Sequence, residues 1–353
     1  MRTALAIGDA GGVGPELAAK LLAHPEMQGR DFVVIGDARL LEMGKTHAGV
    51  AFDLPVVAAS EVARGLPAGR VMVDLANCGP EAITKGSSNP AAGAASLQNF
   101  AAALRLAQAG IADAAMFTPF NKHSMRLARP DYVDEIGFID RVLGATRSGR
   151  EFNVLEEVWN ARVTSHIPLR KVADTLSVER ILASIKLTHE VMEGAGKPNP
   201  RIGVAALNPH AGDGRNFGEE DDDIIEPAVR AAAAEGLAVK GPIPSDTVFV
   251  RAIRGEFDAV LTMYHDQGQI AMKLMGFDRG VTLIAGYGFP ICTPAHGTAY
   301  DIAGQGKADL GATLAAARLA ESLAKLNPPR GASVALGADW ATGAVETETA
   351  LAD

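Results

Sequence analysis

Short apolar runs alternate with longer Ala- and Leu-rich stretches along almost the whole chain. A run that is apolar at every position predicts a strand buried on both faces, whereas apolar residues recurring every three or four positions predict an amphipathic helix. Repeated strand-then-helix units predict an α/β fold, its largely parallel sheet covered on both faces by helices. Strands are expected at 3–7, 32–35, 114–117, 202–206, 259–263 and 282–285. The clearest helices are expected at 90–109, where Leu97, Phe100 and Leu104 stand at helical spacing among small residues, and at 178–194, 219–235 and 309–325. Gly-Ala-Gly-Lys-Pro-Asn-Pro at 194–200 ends a helix before a new strand, and 144–150 is a weaker linker candidate. After Pro328-Pro329 the helical periodicity fades and the chain reads as a surface tail. No internal repeat or low-complexity tract interrupts the pattern.

With 353 residues, the chain has material for one large two-lobed enzyme or two domain-sized units. Its apolar content of 48% is dispersed, and every long apolar stretch is broken by Gly, Asp or Lys, so no membrane span is expected. Met1-Arg2-Thr3 and the short apolar run after it read as a first strand rather than a signal peptide. A net charge of −9 without a Lys/Arg stripe argues against nucleic acid as a partner. Cys78 and Cys292 are far apart, with no Cys-x-x-Cys partner, which fits a reducing compartment and makes the cytoplasm the default location.

Four segments carry candidate chemistry. Gly8-Asp9-Ala10-Gly11-Gly12-Val13-Gly14 follows a strand and opens a helix, where backbone N–H groups can approach an anion; it lacks the G-x-G-x-x-G spacing, and a plain tight turn explains it equally well. His210 and His265 lie just beyond the strands expected at 202–206 and 259–263, and His166, after Val163-Thr164-Ser165, reads as the end of a further apolar strand; in parallel sheets the carboxyl ends of strands line the ligand crevice. One loop histidine is more often a hydrogen-bonded surface residue than a ligand. Three in equivalent settings point to a divalent ion, with imidazole favouring zinc or cobalt over magnesium and three ligands leaving positions open for substrate oxygens. His24, His47 and His189 lack that setting, and His123, after Thr118-Pro119-Phe120-Asn121-Lys122, is a minor candidate. The most specific motif is the loop at 295–309, containing His296, Gly297, Thr298, Asp301 and Asp309: its glycines allow close backbone contact, and Asp301 can accept both ribose hydroxyls while repelling a 2′-phosphate, which favours NAD over NADP. Asp246 and Lys273 are further polar candidates. The acidic run 219–223 reads as a helix start rather than a metal site.

These segments, taken in order, resemble the 4-hydroxythreonine-4-phosphate dehydrogenase (PdxA) family from the Gly8-Asp9 turn to the Asp309 helix. The resemblance implies a two-lobed α/β/α fold of the isopropylmalate-dehydrogenase type with mostly parallel sheets and a cleft between lobes. Residues 1–125 and 270–353 would form a discontinuous NAD-binding lobe, and 126–269 a metal, substrate and dimerisation lobe. It further implies a homodimer with the active site at the interface, NAD bound by Gly12 and the 296–309 loop, and one divalent metal (zinc first; cobalt, manganese or magnesium otherwise) on His166, His210 and His265. Lys273 and Asp246 match retained polar positions and are the expected catalytic pair. Departures bear on the substrate. Where the family carries Gly-His-Thr-Glu, this chain has Asp134-Glu135-Ile136-Gly137, Cys292 stands in place of a substrate-binding Arg, and Thr282 in place of an Asn. Loss of Arg and His with gain of Glu135 disfavours a doubly charged phosphate monoester. The expected reaction is therefore NAD-dependent oxidation of a secondary alcohol in a small hydroxy acid or diol, with decarboxylation where a carboxylate lies β to the new carbonyl. Glu135, Thr282, Cys292 and Lys122 are the expected substrate contacts. The alternatives are the family's own phosphate substrate, held by Lys122 or His123, and, in other classes, a non-catalytic ligand-binding paralogue or a phosphate acyltransferase.

Overall fold

In the computed structural model, which describes residues 1–326, 335–337 and 339–341, strands and helices alternate as the apolar pattern predicts. The chain begins with β1 (Arg2–Ala6), α1 (Gly14–Ala23), β2 (Asp31–Gly36), α2 (Ala38–Ala48), β3 (Val56–Ala58) and β4 (Val71–Asp74). It continues through α3 (Pro90–Gln108), β5 (Ala114–Phe117), α4 (Lys122–Ala128) and α5 (Glu135–Leu143). Next come β6 (Arg150–Val154), β7 (Trp159–Arg162), α6 (Val172–Thr175), α7 (Val178–Gly194) and β8 (Ile202–Ala205). They are followed by α8 (Glu226–Ala234), β9 (Val239–Ile243), α9 (Ser245–Ile253), β10 (Ala259–Thr262), α10 (His265–Gly276) and β11 (Val281–Ala285), then β12 (Ile291–Pro294) and α11 (Gly311–Leu326). The tail expected after Pro329 lies outside the described residues apart from 335–337 and 339–341. No helix among the described residues is long and apolar enough to cross a membrane.

Two units emerge, Met1–Arg150 with the chain from Ile284 onward, and Glu151–Leu283. In the first, the strand order is β3-β4-β2-β1-β5-β12, and every pairing is parallel. Parallel neighbours need a crossover, and α1, α2 and α3 supply it with their apolar faces turned to the sheet. The core gathers around Phe100 of α3, whose ring lies 4.6 Å from Phe117, 5.1 Å from Phe120 and 5.7 Å from Phe138. In the second unit β7, β10, β8 and β9 are successive parallel neighbours, while β6 joins β7 antiparallel. Val158, Phe249, Phe257, Val260 and Met272 fill its core.

The division falls later in the chain than the 125/126 and 269/270 boundaries drawn from resemblance. Tyr132, Phe138 and Ile139 join the cluster around Phe100, so α4 and α5 stay with the first unit. Met272 is buried with the second unit's core, which keeps α10 there. The helix expected at 219–235 opens as a π-helical turn, Asp221–Ile225, before α8. Asp221 is fully buried and its carboxylate accepts the N–H groups of Leu207 and Asn208 at 2.8 and 3.0 Å, which draws this one member of the acidic run inward while Glu219 and Asp223 stay exposed.

Phe100→Ala removes the ring at the centre of the first unit's core and is expected to cost about 3–5 kcal/mol in urea unfolding. Hydrogen bonds from the Arg201 guanidinium hold the Asp258 carboxyl below its ordinary 3.8. That contribution to stability is present above pH 3.8 and lost as pH falls through the lowered value. Thermal melts across that acid range should therefore show a shallower loss of stability for Asp258→Asn than for the parent chain.

Candidate active site

In the second unit, β7, β10 and β8 lie side by side and run the same way, so their carboxyl ends open on one edge. β7 leads to His166, β10 directly into His265 at the start of α10, and β8 into Asn208-Pro209-His210. His166 and His265 leave adjacent strands, and their ring centroids are 5.6 Å apart. The Nδ1 of His265 is 2.7 Å from Asp266 Oδ1, an orientation that leaves Nε2 to face a ligand. His210 is exposed, its ring 6.3 Å from that of Phe217. Among the described residues, no group of three or more His, Cys, Asp or Glu side chains is close enough to hold a metal ion. A single chain thus brings two of the expected three imidazoles together, a donor pair suited to a borderline divalent ion, and carries the third on the loop after the next strand.

Two residues that sequence reasoning passed over hold this edge in shape. Gln267 accepts the Met263 N–H at 2.6 Å and donates to Ala206 O at 2.7 Å and Ser245 Oγ at 2.8 Å, joining the loops that carry His265 and His210 to the start of α9. Asp221 anchors Leu207 and Asn208, at the root of the His210 loop. Beyond that root the backbone is left-handed at His210, Ala211, Asp213 and Arg215, with φ of 54, 56, 44 and 76°, a conformation unfavourable for residues with a Cβ and sustained only where neighbours fix it. An acidic residue opening a helix gave no sign of such a role. Asp246 lies in the first turn of α9, exposed, and Lys273 is exposed on α10. Thr282 Oγ1 accepts from Asn153 at 3.5 Å, and Asn153 in turn accepts from Gln269 of α10 at 2.8 Å.

In the first unit, the glycine turn and the 295–309 loop are bound together. Val13 N–H donates to Thr298 O at 3.0 Å, and a Cβ on Gly12 would stand 2.5 Å from that oxygen, so only glycine allows the approach. Asp9 is fully buried; burial raises its pKa despite hydrogen bonds from Gly11 N–H at 2.7 Å and the Tyr300 hydroxyl at 3.2 Å. Along the loop, His296 is half-exposed, Gly297 borders open space, Thr298 is buried and Asp301 is exposed. That exposed carboxylate has the chemistry to accept ribose hydroxyls. Asp309 Oδ1 accepts from Gly311 N–H at 2.7 Å at the start of α11. Lys122 and Glu135 form an ion pair at 2.8 Å. Cys292 is fully buried in β12, where burial drives its thiol pKa upward; Cys78 is buried as well, its pKa raised to about 11 by burial first and by Asp37 next.

The sequence profile of the pyridoxal phosphate biosynthetic protein PdxA matches residues 28–320. A Rhizobium meliloti protein with the provisional name 4-hydroxythreonine-4-phosphate dehydrogenase 2 is 55% identical over 323 residues, which cover 91% of this chain and 93% of that protein. The D-threonate 4-phosphate dehydrogenase of Salmonella typhimurium is 36% identical, over 91% of this chain and 98% of its own. Among solved structures, the terephthalate 1,2-cis-dihydrodiol dehydrogenase of Burkholderia xenovorans LB400 matches with a TM-score of 0.62 at 30% identity, covering 91% of this chain and 98% of that one. A parallel α/β scaffold with relatives of this kind defines a dehydrogenase-class oxidoreductase. The chain belongs to the PdxA family.

Gly12→Ala is expected to push Thr298 and the start of the loop away from the glycine turn, at a cost of about 1–3 kcal/mol readable in urea unfolding.

Proposed function

We propose that this chain is an NAD-dependent dehydrogenase, assisted by one divalent ion with zinc as first choice, that oxidises a secondary alcohol of a small hydroxy acid or diol. The observation that carries the reading is the set of histidine loops at the ends of three neighbouring parallel strands, with the His166 and His265 rings in contact. His166, His210 and His265 would hold the ion, which when bound lowers the pKa of a substrate hydroxyl and polarises the carbonyl made from it. NAD would take up the hydride. Asp301 would bind the ribose hydroxyls, with Gly12, His296, Gly297 and Thr298 lining the dinucleotide and Asp309 fixing the loop's far end to α11.

Lys273 would orient a substrate carboxylate or relay the hydroxyl proton, and Asp246 would hold the second hydroxyl of a diol or set the charge state of Lys273. Glu135 supports an uncharged or hydroxylated group at its position, because the nearest cation, Lys122, is already paired with it. Thr282 would add a hydroxyl contact, while Cys292, sealed inside its strand, acts on the substrate only through the shape of its surroundings.

A homodimer completes this reading. Ile270, Leu274 and Phe277, at the helical spacing of α10 and its end, are 62%, 84% and 57% exposed, and Val250 and Ile253 of α9 are 45% and 53% exposed. Such apolar side chains on the helices that carry His265, Lys273 and Asp246 suit contact with a second subunit, which would help to complete each site.

The competing substrate reading, a 4-hydroxylated acid carrying a phosphate, is favoured by the names of the Rhizobium and Salmonella relatives. NADH formation measured with cis-dihydrodiols of aromatic acids, tetronates, 4-hydroxythreonine 4-phosphate and D-threonate 4-phosphate separates the two. The unphosphorylated compounds are expected to give the higher kcat/KM, and a preference for the phosphate esters would replace our reading with the other. His210→Ala should lose bound metal and turnover together; full activity of that variant after chelator treatment would overturn the metal assignment. Leu274→Glu should sediment as a monomer and lose activity with its dimer.

A further inference from the structure

The glycine-rich loop is held from below by a pair of charges on the first helix. Glu16, in the first turn of α1, is only 1% exposed. Its carboxylate accepts the backbone N–H of Gly306 at 3.2 Å and that of Ala308 at 2.8 Å. Lys20, one turn further on and 2.8 Å from the carboxylate, donates to the carbonyl oxygens of the same two residues at 2.9 and 2.7 Å. Both polar backbone groups of residue 306 and of residue 308 are therefore gripped, the N–H groups by the acid and the carbonyls by the base.

An ion pair withdrawn from water is unfavourable unless its remaining lone pairs and protons are used, and here they are spent on the loop backbone. The loop needs such restraint. Gly304 and Gly306 adopt φ of 72 and 71°, and glycine has more conformations to lose than any other residue. Between the single 3-10 turn at Tyr300–Ile302 and α11 at Gly311 the segment has no helix of its own.

We infer that Glu16 and Lys20 are a positioning pair that fixes residues 306–308 in their dinucleotide-binding shape before the dinucleotide arrives. The ordering cost then falls on folding and not on binding. This inference rests on the proposed placement of NAD at the 296–309 loop. Neither side chain touches the cofactor; both act through the loop backbone. Cofactor affinity should therefore depend on the pair, whereas the chemical step should not.

The test is calorimetric titration of NAD into the metal-loaded parent protein and into Asp301→Ala, Glu16→Gln and Lys20→Met, with hydrogen exchange of the 304–309 backbone followed without NAD. Glu16→Gln keeps the size of the side chain but turns an NH2 toward one of the two N–H donors. It is expected to raise the Kd for NAD by roughly tenfold and speed exchange across the loop, with kcat at saturating NAD within about twofold and the KM of the alcohol substrate unchanged. Lys20→Met, which keeps the carboxylate contacts, should act in the same direction to a smaller extent, and it carries the comparison if Glu16→Gln does not fold. The double exchange Glu16→Lys with Lys20→Glu restores the ion pair but turns an ammonium toward the N–H groups, so it should not recover affinity. Recovery by that exchange would make the pair an ordinary helix salt bridge and overturn the inference, as would unchanged Kd and exchange in Glu16→Gln. The underlying placement of NAD is judged separately: if Asp301→Ala leaves the Kd unaltered, that placement fails and the inference with it, whereas a Kd that responds to Asp301→Ala but not to Glu16→Gln overturns the positioning pair alone.

Discussion

Parallel pairing is the constraint from which the rest of this chain's organisation follows. Two parallel strands cannot be joined by a tight turn, so the chain must cross back over the sheet between them, in most cases through a covering helix, and within each unit the parallel strands deliver their carboxyl ends to one edge. In the second unit that edge receives the loops after β7, β8 and β10, each with one histidine. In the first it receives the glycine turn after β1, the Thr118-Pro119 segment after β5 and the long loop after β12. Residues more than a hundred positions apart become neighbours because the sheet leaves their loops no other side on which to emerge.

The backbone of each loop is then shaped by polar side chains taken out of water. Asp221 and Gln267 fasten the histidine loops, while Asp9, Glu16 and Lys20 fasten the glycine turn to the 295–309 loop. Polar groups withdrawn wholly or partly from water are tolerated when hydrogen-bonded, and these spend their bonds on main-chain or hydroxyl partners, Glu16 and Lys20 also on each other. The division of labour is plain: apolar side chains decide where a loop starts, and buried acids, amides and one ammonium decide its path.

Much of the fold was legible in the sequence because strands buried on both faces read as unbroken apolar runs. The strand at 114–117 and the helix at 178–194 stand where the pattern puts them, and most other predicted ends differ by a residue or two. The loops of His210 and His265 were legible for the same reason, since each follows such a run within five residues; β7 ahead of His166, with Asn160 and Arg162, is buried but is not such a run. The holding residues were not. Glu16 looks like any acidic residue favouring a helix N-terminus, and Asp221 like the middle of a solvated acidic run; only the tertiary fold aims them at backbone N–H groups. The pairing of Lys122 with Glu135 was hidden because the turn between α4 and α5 sets their distance, and neither residue type announces it. The burial of Cys292 follows from its place inside β12, a position that alignment with an arginine obscured.

Both cysteines of the chain lie in the first unit, and both are shut away from solvent. A thiol reagent can reach them only when that half of the protein opens, and the other half contributes no signal. The native sequence thus carries its own reporters of local breathing: labelling of Cys292 measures how often β12 comes away from its neighbours, and labelling of Cys78 how often its packing with Ala10, Leu40 and Ala95 opens, without any probe having to be introduced.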